Sequence, residues 1–122
     1  MDISEEALKF IQETPLAREI LLLLTKDPNT FFMHSTRNGP QAGVISSTDG
    51  LYSSEYPNTY TGERATEAWA VLENLDKLGV LKSLIAGCGS PFFYCVAEER
   101  FDNISCENQT PEIRQGLRKL LN

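Results

Sequence analysis

The chain has 122 residues, of which 41% are hydrophobic and 23% charged, a balance that supports one buried core, so the chain need not be read as disordered. Eleven Lys and Arg against 17 Asp and Glu give a formal charge of −6, which argues against binding driven by phosphate neutralisation or by anionic lipid. Apolar runs such as Ile20 to Leu24 fall far short of the ~20 residues of a membrane span, and no basic stretch precedes an apolar one at the N-terminus, so the expectation is a single cytoplasmic domain over residues 1–122 that meets no membrane.

Asp2 with Glu5 forms a capping-box-like start, after which Ile3, Ala7, Leu8 and Ile11 recur on one helical face. Thr14-Pro15 then supplies an N-cap and a first helical position, where proline loses only an amide that would be unpaired anyway. Leu16, Ile20, Leu21, Leu23 and Leu24 make the apolar face of this second helix, and Asp27-Pro28 stops it. The pattern fits either two helices or one helix bent at Pro15.

From Asn29 to Gly62 helical periodicity disappears among Ser, Thr, Asn, Gly, Pro and Tyr. Thr30 to His34 and Ala42 to Ser46 are short β-prone segments around the turn-forming cluster Arg37-Asn38-Gly39-Pro40, which predicts a β-hairpin. Thr48 to Thr61 reads as an exposed loop carrying Tyr52, Tyr56 and Tyr60.

Glu63 to Leu78 is the clearest helix: Ala68, Val71, Leu72, Leu75 and Leu78 face inward beside Trp69, while Glu67, Glu73, Asp76 and Lys77 face water. Gly79 ends it in the left-handed conformation that a residue without a Cβ takes at low cost. Val80 to Ile85 and Phe92 to Ala97 are predicted strands around the turn Gly87 to Pro91, and Glu98 to Gln109 is a polar linker. Thr110-Pro111-Glu112 repeats the N-cap signature, and Ile113, Leu117, Leu120 and Leu121 give a last amphipathic helix over residues 111–121. Arg114, Arg118 and Lys119 lie toward its C-terminal end, where the helix dipole favours them. This helix either packs on its own chain or mediates a homodimer.

Cys88, Cys95 and Cys106 are odd in number and lack close pairing, which reads as three reduced thiols. A zinc site joining them to His34 would need cysteine ligands with six and ten residues between them where structural sites bring close pairs, so no metal is expected. The acceptor patterns Asn103-Ile-Ser and Asn108-Gln-Thr read as accidental without a secretory signal.

The run Arg64-Ala65-x-x-Ala68-Trp69-x-x-Leu72-x-x-Leu75-x-x-Leu78-Gly79-Val80-Leu81, with a hairpin around Gly89 and Phe93-Tyr94-x-Val96, resembles the third helix and wing of winged-helix domains. The segment Leu16 to Pro28 is similar to the buried helix that opens such domains, and the Gly- and Ser/Thr-rich insert resembles winged-helix-like modules appended to multidomain bacterial proteins. This resemblance covers residues 15–97 and implies an α+β, winged-helix-like fold of helices packed with two short β-hairpins, plus the extra C-terminal helix. One departure stands out: Asp27 to Glu63 offers no helix where a DNA-binding winged helix carries the first of its last helix pair.

Function is read from side-chain chemistry. The first turns of the Trp69 helix carry Glu63 and Glu67 against one base, Arg64, which disfavours contact with duplex DNA. His34 has no acid or nucleophile placed beside it by a motif and reads as a structural hydrogen bonder. Gly87-Cys88-Gly89 precedes a strand and so has no helix N-terminus with which to hold phosphate. No catalytic residue and no cofactor are therefore expected. Tyr52, Tyr56 and Tyr60 among small polar residues have the composition of a binding loop, and the alternative that they pack down to pin a long loop stands beside it. The expectation is a non-catalytic regulatory module that binds a protein partner through these tyrosines and the edge of the wing hairpin. The competing expectation is a transcription regulator that reads bases with Arg64 and Thr66 and holds phosphates with Lys82 and Arg100.

Overall fold

A computed structural model of the chain describes residues 3–26, 30–35, 39–48, 51–52, 59–83, 92–97 and 111–121. Helix α1 spans Glu5–Glu13 and α2 spans Pro15–Leu24. Ser4 caps α1, its hydroxyl accepting from the Ala7 amide at 3.1 Å, while Asp2, read as the start of a capping box, lies outside the described residues. Thr14 sits between the helices with φ −120° and ψ 94°, which makes them two helices. Proline forces that outcome, because it disfavours a helical conformation in the residue before it.

Strands β1 (Thr30–Ser35) and β2 (Gln41–Thr48) pair antiparallel with Phe32 opposite Val44 and His34 opposite Ala42, the hairpin that the sequence predicts. The segment read as an exposed loop is partly a sheet edge. β3 (Leu51–Tyr52) pairs with the C-terminal end of β2, and β4 (Tyr60–Thr61) pairs with its N-terminal end. Helix α3 (Gly62–Lys77) follows β4 directly. Gly62, at φ +59°, makes that junction, and its amide donates to the Pro40 carbonyl at 3.0 Å, tying the start of the helix to the β1–β2 connection.

The end of α3 explains a difference from the predicted strand over Val80 to Ile85. The Gly79 amide donates to Asp76 O at 3.0 Å and the Val80 amide to Leu75 O at 2.9 Å, with Gly79 at φ +79°, which is a Schellman closure. Leu81 also donates to Leu75 O, so Val80 and Leu81 are spent on terminating the helix. The described strand β5 is Lys82–Ser83, while Leu84 and Ile85 lie outside the described residues. β6 (Phe92–Cys95) pairs antiparallel with β5 and also with β1, where Tyr94 stands opposite Phe32. The two hairpins are thereby one antiparallel sheet in the order β3-β2-β1-β6-β5, which with the helices makes the fold α+β.

Helix α4 spans Pro111–Leu121. It packs on α2, burying Ile113, Leu117 and Leu121 in the cluster that also holds Ile20, Leu21, Leu72, Leu75, Phe32 and Tyr94. Arg18 of α2 donates to the Leu121 carbonyl and Arg118 reaches the Thr25 hydroxyl at 3.4 Å, so both arginines serve helix C-termini. Of the two placements open for this helix, the described residues take the one on its own chain.

One face of β1 and β6 joins this cluster through Phe32, Tyr94 and Val96. The other, with Phe31, Met33, Cys95 and Ala97, is equally buried. Cys95 is disulfide-bonded, which corrects the reading of three reduced thiols. Cys88 and Cys106 both lie outside the described residues. The expectation of a reducing compartment loses the support of those thiols, because disulfides persist where the surroundings are oxidising. Among the described residues no helix is long and apolar enough to cross a membrane.

Candidate functional site

Helix α3 packs on β2, β4 and α2, and its contacts decide which of its polar side chains are available. Toward its N-terminus Arg64 forms an exposed ion pair with Glu67 at 2.9 Å, and its guanidinium lies 5.8 Å from the centre of the Tyr60 ring. The Thr66 hydroxyl donates to Gly62 O at 3.4 Å, within its own helix. Lys82, on β5, donates to the Gly79 carbonyl at 3.3 Å, where the negative end of the α3 dipole holds an ammonium. Arg64, Thr66 and Lys82 thus each have a local partner, Arg64 and Thr66 within α3 and Lys82 at its C-terminal end. Arg100 and Tyr56 lie outside the described residues.

The tyrosine surface is corrected at Tyr60. Its side chain is only 6% exposed, its ring stacks against Phe32 at 6.1 Å, and its hydroxyl donates to Glu19 Oε1 at 2.6 Å. Burial, reinforced by the Glu19 carboxylate, raises its pKa well above the ordinary phenol value. Tyr60 therefore pins β4 to α2, the second of the two roles that its composition allowed. Tyr52 lies in β3, opposite Ser47.

The middle of α3 meets β1 and β6 in an aromatic seam. His34 is 1% exposed, and its ring stacks on Trp69 with centroids 4.0 Å apart and planes 23° from parallel. Its Nδ1 is buried without a hydrogen-bond partner. Burial depresses the imidazole pKa below the ordinary value of 6.5, and the Glu73 carboxylate opposes that shift. Tyr94 completes the seam. Burial raises its phenol pKa, a hydrogen bond with Trp69 lowers it, and Glu73 and Asp76 raise it. The reading of His34 as a structural hydrogen bonder is sharpened for one of its nitrogens: the ring stacks on Trp69 and Nδ1 is bare. Strand alternation could have located this residue, since His34 shares a face with Phe32, but its contact with Trp69, 35 positions away, has no local signal.

A groove of about 350 Å³ opens between α1 and the C-terminal end of α3. Phe10 and Leu78 form its apolar part, and Glu6, Lys9, Glu13, Asn74 and Lys77 surround them. The sequence patterning places each of these residues on its helix, but nothing local indicates that the two helix ends meet. Among the described residues no group of three or more His, Cys, Asp or Glu side chains is placed to hold a metal ion. No protein-family model, curated protein or solved structure matches the chain.

Proposed function

We propose that the chain is a non-catalytic, winged-helix-like regulatory module that acts through a protein partner. The observation that carries this reading is the state of Arg64, the base that a DNA-reading α3 would present: it is held between the Glu67 carboxylate and the Tyr60 ring on a chain of net charge −6. Duplex DNA carries one negative charge per ~1.7 Å of axis and would meet Glu63 and Glu67 first. Support for the winged-helix-like part comes from the order of elements, in which α3 closes on Gly79 and leads into an antiparallel β5–β6 pair whose second strand lies beside β1.

The docking place is the α1–α3 groove. Its apolar floor of Phe10 and Leu78 accepts one or two side chains of an amphipathic segment, and its rim of two carboxylates and two ammoniums suits a partner segment of mixed charge. The edge strand β5 and Tyr52 are secondary contacts.

The test pairs the full chain with a variant carrying Lys9→Glu and Lys77→Glu, both exposed, in cross-linked pull-downs, beside a mobility-shift titration with mixed-sequence duplex DNA. The reading predicts a partner that the wild type retains and the variant loses at unchanged thermal stability, with no DNA retention at low salt. Salt-sensitive DNA binding that weakens on Arg64→Ala or Lys82→Ala would overturn it in favour of the transcription-regulator reading.

A further inference from the structure

The buried histidine suggests a device that does not depend on which partner the module meets. A neutral imidazole can leave one nitrogen as a bare acceptor, whereas an imidazolium must donate from both. At His34 the nitrogen concerned is Nδ1, which is buried and faces no acceptor. Protonation would therefore create a desolvated, unpaired cationic donor at the junction of α3 with the sheet, and such a group is costlier to bury than a neutral one.

The surroundings decide whether anything offsets this. Among the described elements, β2 presents Ala42 opposite His34, and β6 supplies Phe92 as backbone partner together with Tyr94, whose phenol carries no charge near neutral pH. Helix α3 presents Trp69 and, on its exposed side, Glu73. Two effects favour the charged form: the indole face attracts a cation, and Glu73 attracts it through solvent. Burial of His34 to 1% exposure acts the other way and is the largest influence. Asp76 bears on Tyr94.

We propose that the stack of His34 on Trp69 is an acid-released latch: the neutral ring fastens the middle of α3 to β1, and protonation opens that contact before α3 leaves β2, β4 and α2 and the rest of the fold unfolds. The groove residues Asn74, Lys77 and Leu78 ride on the same end of α3, so release of the latch would reshape the proposed docking place.

The chain has one His and one Trp, so both reporters are unambiguous. A histidine NMR titration of the wild-type chain is expected to show the His34 ring protons moving at a midpoint below 6.5. Backbone hydrogen exchange, corrected for intrinsic rates, is expected to show the amides around Trp69 in α3 opening at a lower free energy than those of α2, and losing protection by up to tenfold per pH unit below 6.5. His34→Phe, which keeps an aromatic ring but no titratable nitrogen, is expected to abolish that loss. A midpoint at or above 6.5, protection around Trp69 in α3 equal to that of α2 across this range, or an unchanged acid response in His34→Phe would each overturn the proposal. Should that variant fail to fold, the titration and the exchange of the wild-type chain decide.

Discussion

Two polar side chains are buried among the described residues, Thr25 and His34, each 1% exposed, and they are treated in opposite ways. Thr25 closes α2. Its hydroxyl donates to Leu21 O at 2.7 Å and accepts from Arg118 across the α2–α4 junction. His34 sits where α3 meets the sheet, held by a ring stack, with Nδ1 bare. Equal burial therefore says little about what a polar group does. A satisfied group at a helix end is indifferent to pH, whereas an unsatisfied titratable one makes its junction sensitive to acid.

The comparison breaks first if the α2–α4 junction is not held by its aliphatic side chains. Leu117→Ala, at a position 1% exposed, is expected to cost about 2–5 kcal/mol in urea unfolding, the range for deleting a buried leucine. A loss below that range would mean that α4 is dispensable to the core.

Next in size is the pH response of the other junction. The unfolded chain binds a proton at His34 below about 6.5, while the folded chain, whose pKa is lowered, binds it only at lower pH. Stability from this residue is thus complete above 6.5 and declines as pH falls toward the folded value, by about 1.4 kcal/mol per pH unit within that window. Denaturant midpoints of the wild type relative to His34→Phe, measured between pH 7.5 and 5.5, should diverge downward. Parallel curves would place His34 in the same class as Thr25.

Thr25→Val sharpens the contrast from the satisfied side. Removing the hydroxyl deletes its bonds to Leu21 and Arg118 but leaves the Leu21 carbonyl its bond from the Thr25 amide at 3.0 Å. A cost of about 1 kcal/mol is expected, the same at pH 7.5 and 5.5. A pH-dependent cost would tie the two junctions together. The smallest effect belongs to Arg64→Ala: the exposed pair with Glu67 is worth about 0.2–1 kcal/mol, so thermal unfolding should barely shift. A larger loss would mean that the contact with Tyr60 carries real packing.

Much of the fold was legible in the sequence because its signals are local. Pro15 marked a break or a bend between α1 and α2, Gly79 ended α3, and the turn formers between Thr30 and Ser46 announced the first hairpin. Legibility failed where residues are used twice. Val80 and Leu81 have strand character, but their amides go to Leu75 O and close a helix. Tyr60 has the look of a binding-loop residue, but its ring and hydroxyl are taken by Phe32 and Glu19. The candidate groove was not legible at all, since Phe10 and Leu78 are 68 positions apart.

By itself the amino-acid order determined the helical stretches, the β-prone stretches and the acidic charge, because caps, breakers and periodicity act over a few residues and need no distant partner. Tertiary structure alone decided that β6 would lie beside β1, that Tyr60 would pin rather than present, and that the ring of His34 would meet Trp69 and leave its Nδ1 bare. Those outcomes depend on which surfaces remain to be buried once the helices and hairpins already exist, and that competition has no trace in any short window of sequence.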